Sequence, residues 1–203
     1  MDTLHVQERP FFSELGHEFS EICSSFTPVM QAKDVELYQH SLRVQSLALT
    51  FTTVLQLPKA ETLTIGLAAF LHDLGKMHIS ETILHKASGL TRQEFECIQE
   101  HPAYGALMFN QFKLLQHIVP SVYHHHERWD GKGYPDGIRG AAIPLGARII
   151  AIVDAFEVMT SRRIYQKSRT AHKACEELYE HAGTQFDAEL VELFCHSFNL
   201  DLV

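Results

Sequence analysis

The tightest constraint on the fold of this chain lies in residues 63–76. Leu63, Leu67, Phe70, Leu71 and Leu74 recur at helical spacing, the pattern of a helix with one buried face. The same run carries His72 and Asp73 side by side, and Lys76 follows one turn later. Buried polar groups need partners, so a fold that seats this helix in a core must bring other polar side chains to His72 and Asp73. Imidazole and carboxylate are metal-ligand types, and a neighbouring lysine can meet a phosphate oxygen.

Periodicity elsewhere is helical too. Residues 10–26 carry the stripe Phe11, Phe12, Leu15, Phe19, Ile22 and Phe26, which Thr27-Pro28 is expected to close. A second helix fits residues 34–57, with Glu36 and His40 four apart on one face. Pro58 suits the first turn of the helix leading to His72-Asp73. Thr91 and Glu94 form a capping box for the helix that Pro102 limits at His101. Helices are expected over 103–112, 113–126, 145–161, 170–182 and 187–198, with Asp154 set inside an apolar run. No stretch shows the alternation of a strand, so the fold class is all-α.

Residues 128–144 differ in kind. Four glycines and two prolines interrupt Arg128, Trp129, Tyr134 and Ile138, which describes a long ordered loop inside a domain and not a linker.

Composition narrows the function. A chain of 203 residues with 45% hydrophobic and 21% charged residues is an ordinary globular protein. Its net charge of -8 argues against nucleic-acid polymers and anionic membranes as partners. No apolar run has spanning length and the N-terminus lacks the shape of a signal peptide, so the expected location is cytoplasmic. The cysteines at 23, 97, 175 and 195 form no C-x-x-C pair, which suits reduced thiols better than a zinc cluster.

The 14 histidines are the outlier. Glu36, His40, His72, Asp73, His101, His125, His126 and Asp154 all stand within or beside apolar helical faces. Singly, each has a structural explanation, such as a helix-end histidine or a carboxylate held by backbone donors. Together they make a nitrogen-and-oxygen ligand set without sulfur, rich enough for two or three metals. Such a set suits octahedral Mn or Fe better than a closed structural zinc.

His72-Asp73-x-Gly75-Lys76, His101-Pro102, His125-His126-Glu127-x-x-Asp130-Gly131-x-Gly133-Tyr134-Pro135 and Asp154 resemble the signature of the HD-GYP family. These are metal-dependent phosphodiesterases of the HD superfamily that hydrolyse cyclic di-GMP. The resemblance runs from about the second helix to residue 190 and implies a helical HD-domain bundle with a Gly-rich GYP loop, assigned to residues 31–203; the stripe over 10–26 makes residues 1–30 a helical extension packed on it. It implies that His40, His72, Asp73 and Asp154 hold one metal, and that Asp73 bridges to a second held by His101, His125 and His126. Glu36 matches a position that helps bind a third metal beside His40 in some members. Lys76 would contact the scissile phosphate, Tyr134 would shape the substrate cleft, and Arg163 would meet the nucleotide.

The implied reaction is attack of a metal-bridging hydroxide on phosphorus, yielding pGpG, GMP or both. Diguanylate cyclase (GGDEF) domains are implied partners through the GYP loop. Two alternatives stand beside this reading: a phosphohydrolase for another cyclic dinucleotide or a nucleotide, and a non-catalytic receptor or adaptor. One departure is visible. Where the family usually has an aspartate after the Asp154 match, this chain has Glu157, a change expected to be structural. The triple histidine leaves the register open by one, and His125 and His126 are preferred because they directly precede Glu127.

Overall fold

The computed structural model of the chain describes residues 17–86, 88–161 and 168–197. Among these residues the fold is all-α: ten α-helices and short 3-10 turns, with one isolated bridge between Ala182 and Phe186 and no strand. The expected helical residues Phe11, Phe12 and Leu15 lie outside the described residues, as does Arg163.

Thr27-Pro28 does not close the first helix, because α1 (His17–Lys33) runs through Pro28. A proline inside a helix forfeits a backbone bond, and packing on both sides of it outweighs that loss. Phe26 lies edge-on to Phe109 with ring centroids 6.0 Å apart, and Met30 is fully buried. The helix therefore crosses residue 30, where the sequence suggested a boundary.

Helix α2 (Val35–Val54) starts at Asp34, whose carboxylate accepts the N–H groups of Glu36 (2.8 Å) and Leu37 (3.2 Å). Its buried face packs along α3 (Lys59–Leu71), which begins after Pro58 and ends as the chain reaches His72. A 3-10 turn, Leu74–His78, follows, and then the short α4 (Glu81–Leu84).

Helix α5 (Arg92–Gln99) opens on the expected capping box, with Thr91 Oγ1 accepting Glu94 N–H and Glu94 Oε2 accepting Thr91 N–H. Pro102 sits in the first turn of α6 (His101–Asn110). The single helix expected over 113–126 is instead a 3-10 turn, Lys113–Ile118, followed by α7 (Val119–Tyr123). Pro120 explains the division: it fits the first turn of a helix and not its interior.

Helix α8 (Leu145–Thr160) buries Ile149, Ile150, Ile152 and Val153 and packs on α2, α7 and α9 (Ala171–Glu180). Phe194 of α10 (Ala188–Ser197) stands edge-on to Phe51 of α2 at 5.0 Å and to Phe156 of α8 at 5.1 Å. This aromatic wedge locks the last helix to the two that carry His40 and Asp154. Among the described residues no helix is long and apolar enough to cross a membrane.

Candidate metal centre

Three helix ends and the middles of two helices meet at one place. His72 follows α3, His101 follows α5 and begins α6, and His125 follows α7. The last carbonyls of a helix lack an intrahelical donor, and each histidine supplies one from Nδ1. His72 donates to Ala69 O (2.7 Å), His101 to Ile98 O (2.7 Å) and His125 to Val122 O (2.6 Å). A carbonyl can only accept, so these bonds put the proton on Nδ1 and leave the neutral ring with a bare Nε2. Burial, together with neighbouring His126, keeps His125 well below the usual histidine range and therefore uncharged.

The bare nitrogens converge on Asp73, which is almost fully buried. Its Oδ2 lies 3.4 Å from His72 Nε2 and 3.7 Å from His40 Nε2, while its Oδ1 lies 3.2 Å from His101 Nε2. His101 Nε2 in turn stands 3.2 Å from His125 Nε2. Two lone pairs facing across that distance repel unless a proton or a cation lies between them. His72 Nε2 and Asp73 Oδ1 are both buried with no hydrogen-bond donor. Buried acceptors gathered without donors are unfavourable by themselves and match the needs of a cation. Four donors, Asp73, His101, His125 and His126, and three, His40, His72 and Asp73, each converge closely enough to hold one ion. The residues fit divalent metals.

His40 on α2 completes one side. Its Nε2 lies 3.1 Å from Asp154 Oδ1 on α8, and its Nδ1 lies 2.6 Å from Glu157 Oε2 one turn further along that helix. Burial disfavours its cation, but the bonds with Asp154 and Glu157 win and raise His40 to about 9. Burial likewise works against both carboxylates, yet His40 holds Asp154 at about 2, and His40 with Ser161 holds Glu157 at about 2. On the other side, burial and His101 depress His126 to about 3.

Lys76 donates to Asp73 Oδ2 (2.6 Å) while remaining partly exposed. Burial alone would raise the Asp73 pKa; the Lys76 ammonium, with His72 and His101 beside it, holds it well below the usual carboxylate range. The turn carrying Lys76 lies against α6 at Gly75, where a Cβ would come within 1.9 Å of His101 O and 2.7 Å of Gly105 N. The glycine of the HD-x-G-K string thus sets the approach of Asp73 to His101.

The Gly-rich loop closes over His126. Tyr134 stacks on His126 at 4.8 Å, and Tyr134 N–H donates to His126 O (3.3 Å). Gly133 permits this, since a Cβ there would lie 2.5 Å from that same oxygen and 2.4 Å from Arg128 N. Glu127 Oε1 accepts the N–H groups of Asp136 (2.7 Å) and Gly137 (2.9 Å), tying the far side of the loop to its root. The peptide Tyr134-Pro135 is cis. Burial, reinforced by Asp73 and Asp154, pushes the Tyr134 phenol up, so it faces the site as a neutral hydroxyl.

Of the residues expected at the site, His40, His72, Asp73, His101, His125, His126 and Asp154 are brought together, with Lys76 and Tyr134 at the edge. His124 turns away to Asp136 (3.1 Å). Glu36 also points elsewhere: its side chain is 63% exposed and accepts from Arg43 Nη2 (3.2 Å). Sequence reasoning missed Arg43 and the use of Glu157, although each stands three residues after a site residue on the same helix, His40 and Asp154.

Residues 24–190 match the family model described as HD domain. A cyclic di-GMP phosphodiesterase of Thermotoga maritima is 32% identical over 186 residues, covering 91% of this chain and 50% of the relative. A 3'3'-cGAMP-specific phosphodiesterase of Vibrio cholerae is 34% identical over 182 residues, covering 89% of this chain and 35% of the relative. This chain therefore spans half or less of the length of these curated relatives. Among solved structures, a cyclic GMP-AMP specific phosphodiesterase of V. cholerae superposes with a TM-score of 0.67 at 19% identity, over 89% of this chain and 49% of that one. The fold and the His-Asp cluster define a helical HD-type protein, and the chain belongs to the HD-domain family. Its Gly-Tyr-Pro string and its relatives place it with the HD-GYP members of that family.

Proposed function

We propose that this chain is a metal-dependent phosphodiesterase that hydrolyses cyclic di-GMP to pGpG, GMP or both. One observation carries the reading: Asp73 Oδ2 faces His40 and His72 while Oδ1 faces His101, and His72, His101 and His125, whose Nδ1 protons go to helix-end carbonyls, present bare Nε2 atoms. We assign His40, His72, Asp73 and Asp154 to one ion and Asp73, His101, His125 and His126 to a second, of Fe or Mn by the donor set. A third ion at Glu36 and His40 requires Glu36 to leave Arg43. When bound, the ions supply Lewis-acid activation of water and offset charge at phosphorus.

The chain's own residues set the geometry. Lys76 Nζ, beside Asp73 and reaching solvent, would meet a phosphate oxygen, and its charge would count for more in so dry a site. Tyr134, stacked on His126, offers a neutral hydroxyl and an aromatic edge to a nucleotide. Arg163 is assigned to the nucleotide by resemblance. Asp73 and Asp154 are held ionised, and the helix-end bonds keep the histidine rings from turning. The relatives act on cyclic dinucleotides by name, which supports the substrate class. The partly exposed GYP loop is the surface we assign to diguanylate cyclase (GGDEF) domains, and the cytoplasm is the expected location.

The test is metal content and turnover in one anaerobically purified preparation, assayed on cyclic di-GMP, 3'3'-cGAMP and cyclic di-AMP. We expect about two ions per chain, an order of magnitude set by the two donor groups, and cleavage of cyclic di-GMP before the others. Faster cleavage of 3'3'-cGAMP would reassign the substrate. Bound metal with no turnover on any of the three would make the chain a receptor.

A further inference from the structure

We infer that Glu157 is a positioning residue that fixes the ring of His40 for metal binding, and that Arg43 fixes Glu157 in turn. The inference rests on the metal-centre reading above and deepens it. Asp154 and Glu157 lie three apart on α8, so both face α2, and His40 lies between them. Glu157 is almost fully buried and its two oxygens are divided. Oε2 lies 2.6 Å from His40 Nδ1, while Oε1 takes the Nε–H of Arg43 and the hydroxyl of Ser161 at 2.5 Å. A carboxylate has no proton at neutral pH, so His40 Nδ1 must carry one. Nε2 is thereby the atom left for Asp73, Asp154 and a cation. His72, His101 and His125 get the same instruction from helix-end carbonyls. His40 sits in mid-helix, where carbonyls are already taken, and Glu157 replaces them.

The departure from aspartate at this position therefore has a use. The glutamate reaches across from α8 to satisfy His40 and Arg43 with separate oxygens.

The arrangement makes Glu157→Gln informative. An amide has one oxygen and one NH₂, and Arg43 can only donate. The amide oxygen must then face Arg43, leaving NH₂ against His40 Nδ1. That donor demands a bare Nδ1 and moves the ring proton to Nε2, where it blocks the metal. Replacing Arg43 by Ala as well frees the amide to turn its oxygen to His40.

The experiment titrates Mn²⁺ into the full metal-stripped chain of wild type, E157Q, E157D, H40A and the R43A/E157Q double variant, and records ¹⁵N shifts of the His40 ring in all but H40A at a pH high enough for that ring to be neutral. We expect E157Q to weaken Mn²⁺ binding by on the order of 10–100-fold, the range for partners of ligating histidines, and to show a bare Nδ1. The double variant should recover Nδ1 protonation and most of the affinity, and E157D, still a carboxylate, should keep Nδ1 protonated. An E157Q protein that binds Mn²⁺ as wild type does, or that keeps the proton on Nδ1, overturns the inference. Should E157Q not fold, E157D decides: binding as weak as that of H40A sinks it. Wild type that binds no Mn²⁺ would instead overturn the metal-centre reading.

Discussion

Asp73 Oδ1 and His101 Nε2 face each other at 3.2 Å, and because His101 Nδ1 donates to Ile98 O, the neutral ring has no second proton to place between them. This pairing of two acceptors joins the α3 end to the α6 start.

Asp73→Asn should therefore act in opposite directions with and without metal. In the metal-free protein the new NH₂ can donate to His101 Nε2, so the melting temperature should hold or rise. With Mn²⁺ present the variant should gain no stability, bind metal at least about tenfold more weakly and lose turnover. Thermal melts at both conditions check this. A metal-free variant several degrees less stable than wild type would mean the contact needs no cation.

Metal alone should stabilise the wild type. A ligand at a hundred times its Kd adds about 2.7 kcal/mol per site, and for a chain of this size each kcal/mol moves Tm by about 2–4 °C. Mn²⁺ added to chelator-stripped protein should thus raise Tm by roughly 5–10 °C for one saturated site. His72→Ala, which removes a buried ligand, should abolish most of that rise. An equal rise in both proteins would place the metal elsewhere.

Much of this arrangement is legible in the sequence for a physical reason. Helices that bury one face advertise it by spacing, and polar residues inside such a face stand out, as His72, Asp73 and Asp154 do. Local chemistry is equally readable, for instance the Thr91 capping box. What sequence hides is decided by distant contacts. Pro28 stays helical because Phe26 and Met30 pack on other helices, and residues 113–126 divide where Pro120 fits best. Glu157 meets a histidine 117 residues away, and no local pattern announces such a partner. The Glu36–His40 spacing is a true helical neighbour relation, yet Arg43 is what engages Glu36.

Gly75 should tolerate no side chain. The Cβ of Gly75→Ala would meet backbone atoms, which cannot rotate away, so the turn must lift from α6. We expect a loss of about 3 kcal/mol, the upper part of the range for overpacking, read as a shift in the urea midpoint. Mn²⁺ binding should weaken with it, because the lift separates Asp73 from His101. A stable G75A protein with normal metal binding would show that the turn has slack.

Glu127 should control the loop and leave the metals alone. Glu127→Ala removes the acceptor for two backbone N–H groups, and bonds to a charged acceptor are worth about 1.5–3 kcal/mol. Hydrogen exchange at Asp136 and Gly137 should accelerate by about tenfold or more, since 1.4 kcal/mol is already a factor of ten. Glu127→Gln keeps an oxygen that can serve both donors and should exchange nearly as wild type does. Equal protection in all three proteins would assign the loop's order to its contacts with residues 184 and 185.

Lys76 separates binding from chemistry. Its ammonium sits 2.6 Å from Asp73 Oδ2, the oxygen that faces His40 and His72, so lysine and a cation compete for the same charge. Lys76→Met removes the competitor while keeping the aliphatic stem, and Mn²⁺ affinity should hold or tighten. Turnover of cyclic di-GMP should nevertheless fall by about a hundredfold, because a charge aimed at developing anionic oxygen is lost, an effect of about 2.7 kcal/mol or more. Both quantities are measured on the same metal-loaded preparation. Turnover and metal falling together would show that Lys76 serves only to hold Asp73, and unchanged turnover would remove it from the phosphate altogether.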